Sequence, residues 1–376
     1  MQPSSAASPL PRETGIDALR ALLAAQVVFH HAAITYGASG SWFYREVAPS
    51  GSPSSLFLIL FTAVNQAFFM GLFFLLSGYF TPGMIERHGP RAFLRDRLIR
   101  LGLPLLGFGL LIGPFTVALA GTVRGRTIGE GLLAVWSQRG FVIGPLWFAE
   151  ALLIFAALVA LVALVIRPPP WSAARPFPNA ATLFGAALVT ALAAFALRLV
   201  WPVGTEILSL QLGYFASYVV LFAAGLAGAR ARWWSEVPGE SARLWLVVAA
   251  IAFWALPLAL ALGGPKAGIL AAGGWNAPAV LYAFWEPFVA WGIILGLLRF
   301  AASKRFDGAR LWSTLGRLAY AVFVIHPPVL VAVSLAWRGI AAPPVLKFYV
   351  TGAVATALCF AVAALLLRIP ILRRVL

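Results

Sequence analysis

GIDALRALLAAQVVFHHAAITY (residues 15–36) is an apolar run of bilayer-crossing length that nevertheless carries Asp17, Arg20, His30 and His31. A hydrocarbon core of ~30 Å takes about 20 residues of helix, and this stretch meets that length. On a helix the step from Arg20 to His31 turns through about 1100°, within roughly 20° of three full turns. The two side chains therefore share one face, about 16 Å apart. Asp17 lies within about 40–60° of the same stripe, whereas His30 lies about 80° away and reads as a packing or interface residue. Ionisable groups at membrane depth are costly to desolvate, so they face a bundle interior or an aqueous cavity. The stretch predicts a functional face that runs acid, cation, imidazole inward from the start of the helix.

The rest of the chain repeats the apolar pattern. With 61% apolar residues, 11% charged residues and a mean hydropathy of +0.91, an ordinary soluble domain is excluded. Ten spans are expected, at roughly 16–36, 54–80, 98–120, 144–166, 180–201, 207–229, 241–262, 275–298, 311–337 and 345–367. The expected fold is an all-α polytopic membrane protein with one integral-membrane domain over 15–367. A cytoplasmic segment (1–14) precedes it and a short basic cytoplasmic tail (368–376) follows. The polar start, MQPSSAASPLPRETG (1–15), has no basic region leading into a short apolar core and cleavage site, so the first span reads as retained. SGSPSS (50–55), RPPPWSAARPFPN (167–179) and GGPKAG (263–268) read as loops between spans.

The net charge is +16, but its distribution argues against nucleic acid as the partner. With the N-terminus in the cytoplasm, most of the 28 Lys and Arg residues fall on the inner side. The outer side receives Arg45, Arg124, Arg126, Arg139, Arg198, Lys266, Arg338 and Lys347. The asymmetry fits an even span count with both termini inside, and the basicity reads as a topology signal plus attraction to anionic membrane lipids. Cys359, the single cysteine, allows no internal disulfide. His30 and His31 diverge by about 100° on a helix, and no HExxH or Asp-rich run exists, so no metal site is expected.

Five further features carry chemistry or mimic it. In IERHGPRAFLRDRLIRLGLPLL (85–106), Arg91, Arg95, Arg97 and Arg100 stand at the inner entry to the third span. Arginine forks suit phosphate oxygens, and the same cluster also serves as a positive-inside anchor. Ser77-Gly78 in FFLLSGYF (73–80) removes bulk, which admits a ligand or lets helices pack closely. Glu150 in GPLWFAEALLIF (144–155) and Glu286 in YAFWEPFVAW (282–291) are intramembrane carboxylates. Such a group can orient an imidazole or hold hydroxyls, or it can be neutral and hydrogen-bonded to backbone freed by a proline. His326 sits in AYAVFVIHPPVLV (319–331), where Pro327 and Pro328 break the helix ladder. A histidine there satisfies the freed carbonyls, so the favoured reading is structural.

Taken in order, GIDALRALLAAQVVFHHA (15–32), FFMGLFFLLSGYFTP (68–82), RAFLRDRLIRLGLPLL (91–106), GPLWFAEALLIF (144–155) and LAYAVFVIHPPVL (318–330) resemble the hallmarks of membrane acyltransferase family 3. The second, third and fourth blocks look closest to the branch typified by glucan-biosynthesis succinyltransferases. The resemblance implies an enzyme of the bacterial inner membrane. It would move an acetyl or succinyl group from cytoplasmic acyl-CoA, a co-substrate rather than a bound cofactor, to a hydroxyl of an extracytoplasmic carbohydrate or other acceptor. The family's arginine–histidine motif maps onto Arg20 and His31, and its arginine pair onto Arg97 and Arg100. On this reading Arg20, Arg97 and Arg100, with Arg95 and Ser77 beside them, hold the acyl-CoA. His31 is the general base or an acyl-accepting nucleophile, and Glu150 or Glu286 orients the acceptor or the imidazolium. Some members carry an additional esterase-like domain; this chain displays none, so the chemistry is expected to finish in the membrane domain. The competing reading is a proton-coupled transporter or flippase, although the matched broken helices of an inverted repeat are not evident in the sequence.

Overall fold

Helix Thr14–Thr35 forms where the first span is expected, and much of the bundle assembles around it. It packs along Arg310–Ala336 and Pro344–Leu366, and it also contacts Pro53–Arg97 and Ala277–Ala301. The computed structural model describes residues 14–138, 140–166, 176–262, 264, 266–303, 306 and 309–376. The expectations that fall on residues 1–13, Arg139, the Pro-rich stretch 167–175, Lys304 and Arg305 lie outside the described residues. Among the described residues there is no strand beyond one isolated bridge, Ile207–Leu210, so the all-α class holds. Among the described residues, eight helical runs are long and apolar enough to cross a membrane.

Three stretches differ from the expected spans. The second and third spans are not separated by a loop: 53–124 is one 72-residue helical run, long enough for two crossings. Its break is confined to Gly89, whose φ of 77° and ψ of 161° leave helical space just before Pro90. Beyond the break the ladder widens into π-turns at Leu98–Gly102 and Phe108–Ile112, each followed closely by a proline, Pro104 or Pro114, that has no N–H to give. The span expected at 207–229 is helical only over Leu212–Gly228. Leu208 and Ser209 before it take positive φ and make a tight turn. The span expected at 241–262 divides into Gly239–Phe253 and Ala255–Leu262 at Trp254.

Side-chain caps mark some of the helix starts. Ser52 accepts from the Ser55 amide with Pro53 as first helical residue, and Asn276 accepts from the Ala279 amide at 2.9 Å. At Gly78 the second helix meets Phe215–Gly228 so closely that a methyl group would overlap the Phe222 carbonyl oxygen. Gly225 meets the Leu75 carbonyl in the same way, so the Ser77-Gly78 step serves close helix packing. The core runs along this seam and the first helix through Val28, Leu72, Phe74, Leu75, Val322 and Leu330. Leu158, Leu161 and Val165 on Trp147–Val165 point outward, as a lipid-facing helix requires.

Candidate active site

Seen along Thr14–Thr35, the two ends of the bundle differ. At the C-terminal end of that helix lies a cavity of ≈ 1470 Å³. His30, His31 and Ile34 line it together with Trp42 and Phe43 from the following loop, Thr62 and Gln66 from the second helix, and segments near 121, 141–147, 203–214 and 268–272. At the other end, where Arg20 lies, a narrow cleft of ≈ 20 Å³ is lined by Ser77, Thr81, Phe93, Arg97, Leu101 and Phe222, among others.

His31 is the centre of the large cavity's polar wall. Its Nδ1 lies 3.1 Å from Nε2 of His326, which arrives from Arg310–Ala336 and is fully buried. The Nδ1 of His326 lies 2.6 Å from the Phe323 carbonyl. The indole of Trp42 stacks over His31, with centroids 3.8 Å apart and planes 16° apart, and reaches over His326 at 5.6 Å. His30 stacks on Phe69 at 5.0 Å and stands edge-on to His31 at 5.4 Å. It lines the cavity as well as packing. One turn earlier Gln26 donates to Asn65 of the second helix, which is almost fully buried. Several buried polar atoms here hydrogen-bond nothing among the described residues: His30 Nδ1, Trp42 Nε1 and Asn65 Nδ2. Buried polar atoms without partners are uncommon in folded proteins, and three of them gather beside this cavity.

The loop that carries Trp42 is held at several points. Arg45 donates to the Ala38 carbonyl at 2.9 Å and also to the Gly40 carbonyl. Glu46 pairs with the buried ammonium of Lys347, and Tyr36 shares a hydrogen bond with Thr351 at 2.9 Å. Gly37 and Gly40 supply the positive φ values the loop needs.

The Arg20 end gathers the predicted cations. Arg20 reaches Asp17 at 3.7 Å, the pairing expected from their spacing. Arg20 and Arg100 both lie close enough to act electrostatically on Arg97. Arg97 lines the cleft, lies over the Phe93 ring at 5.3 Å and donates to the Met84 sulfur. Arg100 is more exposed and holds Asp96 at 3.0 Å. Ser77 shares the cleft with Arg97, whereas Arg95 is exposed and outside it.

The two carboxylates fall elsewhere. Glu286 is fully buried in an ion pair with Arg198 and hydrogen-bonded to Ser217 at 3.5 Å; its partners are not the histidines. Arg198, counted from the sequence as an outer-side loop charge, is itself 1% exposed. It donates to the Gly213 carbonyl at 2.9 Å and lies over the rings of Tyr282 at 4.9 Å and Tyr214 at 5.4 Å. Those tyrosines line the cavity, so the ion pair backs its wall rather than facing its space. Glu150 lies one turn after Trp147, and its Oε2 is buried without a partner among the described residues. On that helix Glu150 is about 200° from Phe148. Phe148 packs against Phe323 at 5.9 Å, so Glu150 points away from the His326 helix. No group of three or more His, Cys, Asp or Glu that could hold a metal ion occurs among the described residues.

Sequence reasoning passed over Trp42, Arg198 and the meeting of His31 with His326. The HPP step did signal a freed carbonyl, but the histidine partner lies 295 residues away in sequence.

No solved structure matches the chain. Glucans biosynthesis protein C of Salmonella schwarzengrund (strain CVM19633) is 30% identical over 155 residues, 40% of this chain and 38% of that protein. The same-named protein of Salmonella gallinarum (strain 287/91 / NCTC 13346) is 28% identical over 186 residues, 48% of this chain and 46% of its own length. That of Shigella dysenteriae serotype 1 (strain Sd197) is 29% identical over 155 residues. The chain thus spans less than half the length of these curated relatives. Residues 13–364, nearly the whole chain, match the acyltransferase domain of family 3, and the chain belongs to that membrane acyltransferase family.

Proposed function

We propose that the protein carries an acyl group, acetyl or succinyl, from cytoplasmic acyl-CoA to a hydroxyl of an extracytoplasmic acceptor, with His31 at the point of transfer. The observation that carries the reading is the polarity of the first helix. Its Arg20 end sits among Arg97 and Arg100, and its His31 end opens into the large cavity. Between them lies about 16 Å of helix rise, a reach suited to a pantetheine arm.

On this reading the arginines hold the CoA phosphates by charge-assisted hydrogen bonds at the inner mouth. The thioester extends toward His31, and the acceptor enters from the large cavity. His31 takes the proton of the acceptor hydroxyl as oxygen attacks the thioester carbonyl. The C–O bond forms, the C–S bond breaks, and the proton passes to the departing sulfur. General-base help of this kind is worth typically 10²–10⁴-fold. The sugar nature of the acceptor is supported by the names of the glucans biosynthesis relatives. The bacterial inner membrane is supported by the same relatives, and the cytoplasmic placement of the Arg20 end by the charge asymmetry.

Binding tests the donor half directly. Acetyl-CoA or succinyl-CoA raises the melting temperature of the detergent-purified protein, by an amount that corresponds to roughly 2.7 kcal/mol at a hundredfold excess over Kd. Free CoA competes, and Arg97→Ala needs more ligand for the same shift. A protein indifferent to acyl-CoA and to CoA at millimolar concentration would overturn the reading.

A further inference from the structure

The structure contains a device that decides which nitrogen of His31 carries a proton. A backbone carbonyl only accepts hydrogen bonds, so the 2.6 Å contact with Phe323 puts the ring proton of His326 on Nδ1. His326 is fully buried, and no carboxylate bonds to it among the described residues, so its ring is neutral and Nε2 is bare. A bare nitrogen 3.1 Å from His31 Nδ1 must receive a proton from it. His31 is then the Nδ1–H tautomer, and its lone pair stands on Nε2, on the opposite side of a ring that lines the cavity.

Phe323 is available because of the residue that follows His326. In an uninterrupted helix the amide of residue 327 would donate to the carbonyl of residue 323. Proline at 327 has no such proton, so the carbonyl is free to receive the imidazole. The HPP sequence therefore presents an acceptor that fixes the orientation of His326, and His326 in turn fixes His31.

We propose that His326 is a positioning residue, which accepts the His31 Nδ1 proton and so reserves His31 Nε2 as the base of the transfer step. The proposal rests on the acyltransfer reading for its consequence in catalysis, though not for the tautomer itself. In the step, the acceptor hydroxyl gives its proton to His31 Nε2 while its oxygen bonds to the thioester carbon. The imidazolium keeps its Nδ1–H bonded to His326. As the C–S bond breaks, Nε2 returns the proton to the thiolate, yielding ester and free CoA thiol and restoring the starting tautomer.

The chain has four histidines, which makes the test tractable. Nitrogen-15 spectra of histidine-labelled protein in detergent, assigned by removing one histidine at a time, read the protonated and bare nitrogens of each ring. The expected spectrum has His31 protonated at Nδ1 and bare at Nε2, with His326 also protonated at Nδ1. His326→Ala releases His31 to a mixture of tautomers. His326→Gln returns it to Nδ1–H, because the amide oxygen accepts from the same position. In steady-state transfer His326→Ala lowers kcat on the order of 10²-fold at unchanged KM for acyl-CoA, and His326→Gln recovers much of it. Pro327→Ala, which restores a competing amide at Phe323, mixes the His326 tautomers without removing a ring and so serves if the alanine variant does not fold. A wild-type His31 protonated at Nε2, or one whose tautomer ignores both His326→Ala and Pro327→Ala, would overturn the proposal. The expected tautomers in a protein that transfers no acyl group would uphold the device and overturn the acyltransfer reading instead.

Discussion

Two buried polar clusters lie at the same end of this bundle, and they are built to opposite specifications. In one, Arg198 and Glu286 neutralise each other, with Ser217, the Gly213 carbonyl and two tyrosine rings around them. In the other, His31 and His326 share a single proton path, Trp42 covers them, and His30 and Trp42 keep donors or acceptors that bond to nothing described. The ion pair closes on itself behind the cavity wall. The histidine pair opens into the cavity. An ionisable residue at membrane depth is therefore not by itself a sign of chemistry: Arg198 Nη1 also lacks a hydrogen-bond partner among the described residues, and what separates the two clusters is that one neutralises its charge behind the wall while the other lines the cavity.

The comparison breaks or sharpens at specific residues. The largest effect is expected at His31: His31→Ala removes the base and lowers kcat by about 10²–10⁴-fold, with the melting temperature nearly unchanged, as read by steady-state transfer and thermal unfolding of one preparation. Glu286→Ala should do the reverse. It strands a buried guanidinium and destabilises by about 3–5 kcal/mol, seen as a lowered melting temperature, whereas replacing both Arg198 and Glu286 by apolar residues of similar size recovers most of the loss. If Glu286→Ala instead kept full stability and abolished transfer, the division between the clusters would fail.

Smaller effects are expected at the far end. Arg97→Ala should raise the KM for acyl-CoA by roughly tenfold or more, the worth of one hydrogen bond to a charged group. Arg100→Ala, at a more exposed site already engaged with Asp96, should do less. Gly78→Ala tests packing alone: its methyl meets the Phe222 carbonyl, and the expected cost is about 1–3 kcal/mol of stability. Equal KM effects at Arg97 and Arg95 would argue that general basicity, and not the cleft, attracts the donor.

The sequence made the class plain because lipid imposes length and apolarity on every span, and Thr14–Thr35 carries that signal together with the Arg20–His31 stripe. It also made Asp17–Arg20 legible, since partners three residues apart on one helix meet by geometry alone. What it hid was long-range pairing. Glu286 looked available because Arg198, 88 residues earlier, read as a charge at the outer end of a span. His326 looked structural because its neighbouring prolines explained it fully, and they do explain its Nδ1. Its Nε2 is explained only by a helix from the other end of the chain. The 53–124 run differs for another reason: the polar stretch 85–97 marks the boundary between two spans, yet it is itself helical, and only Gly89 with its positive φ breaks the run.

The most direct measurement is transfer of label from radioactive acetyl-CoA and succinyl-CoA in membranes that contain wild-type protein, His31→Ala or His30→Ala. The account predicts that label moves into a hydroxyl-bearing acceptor with wild type, that His31→Ala abolishes the movement, and that His30→Ala largely keeps it. Undiminished transfer by His31→Ala would contradict it.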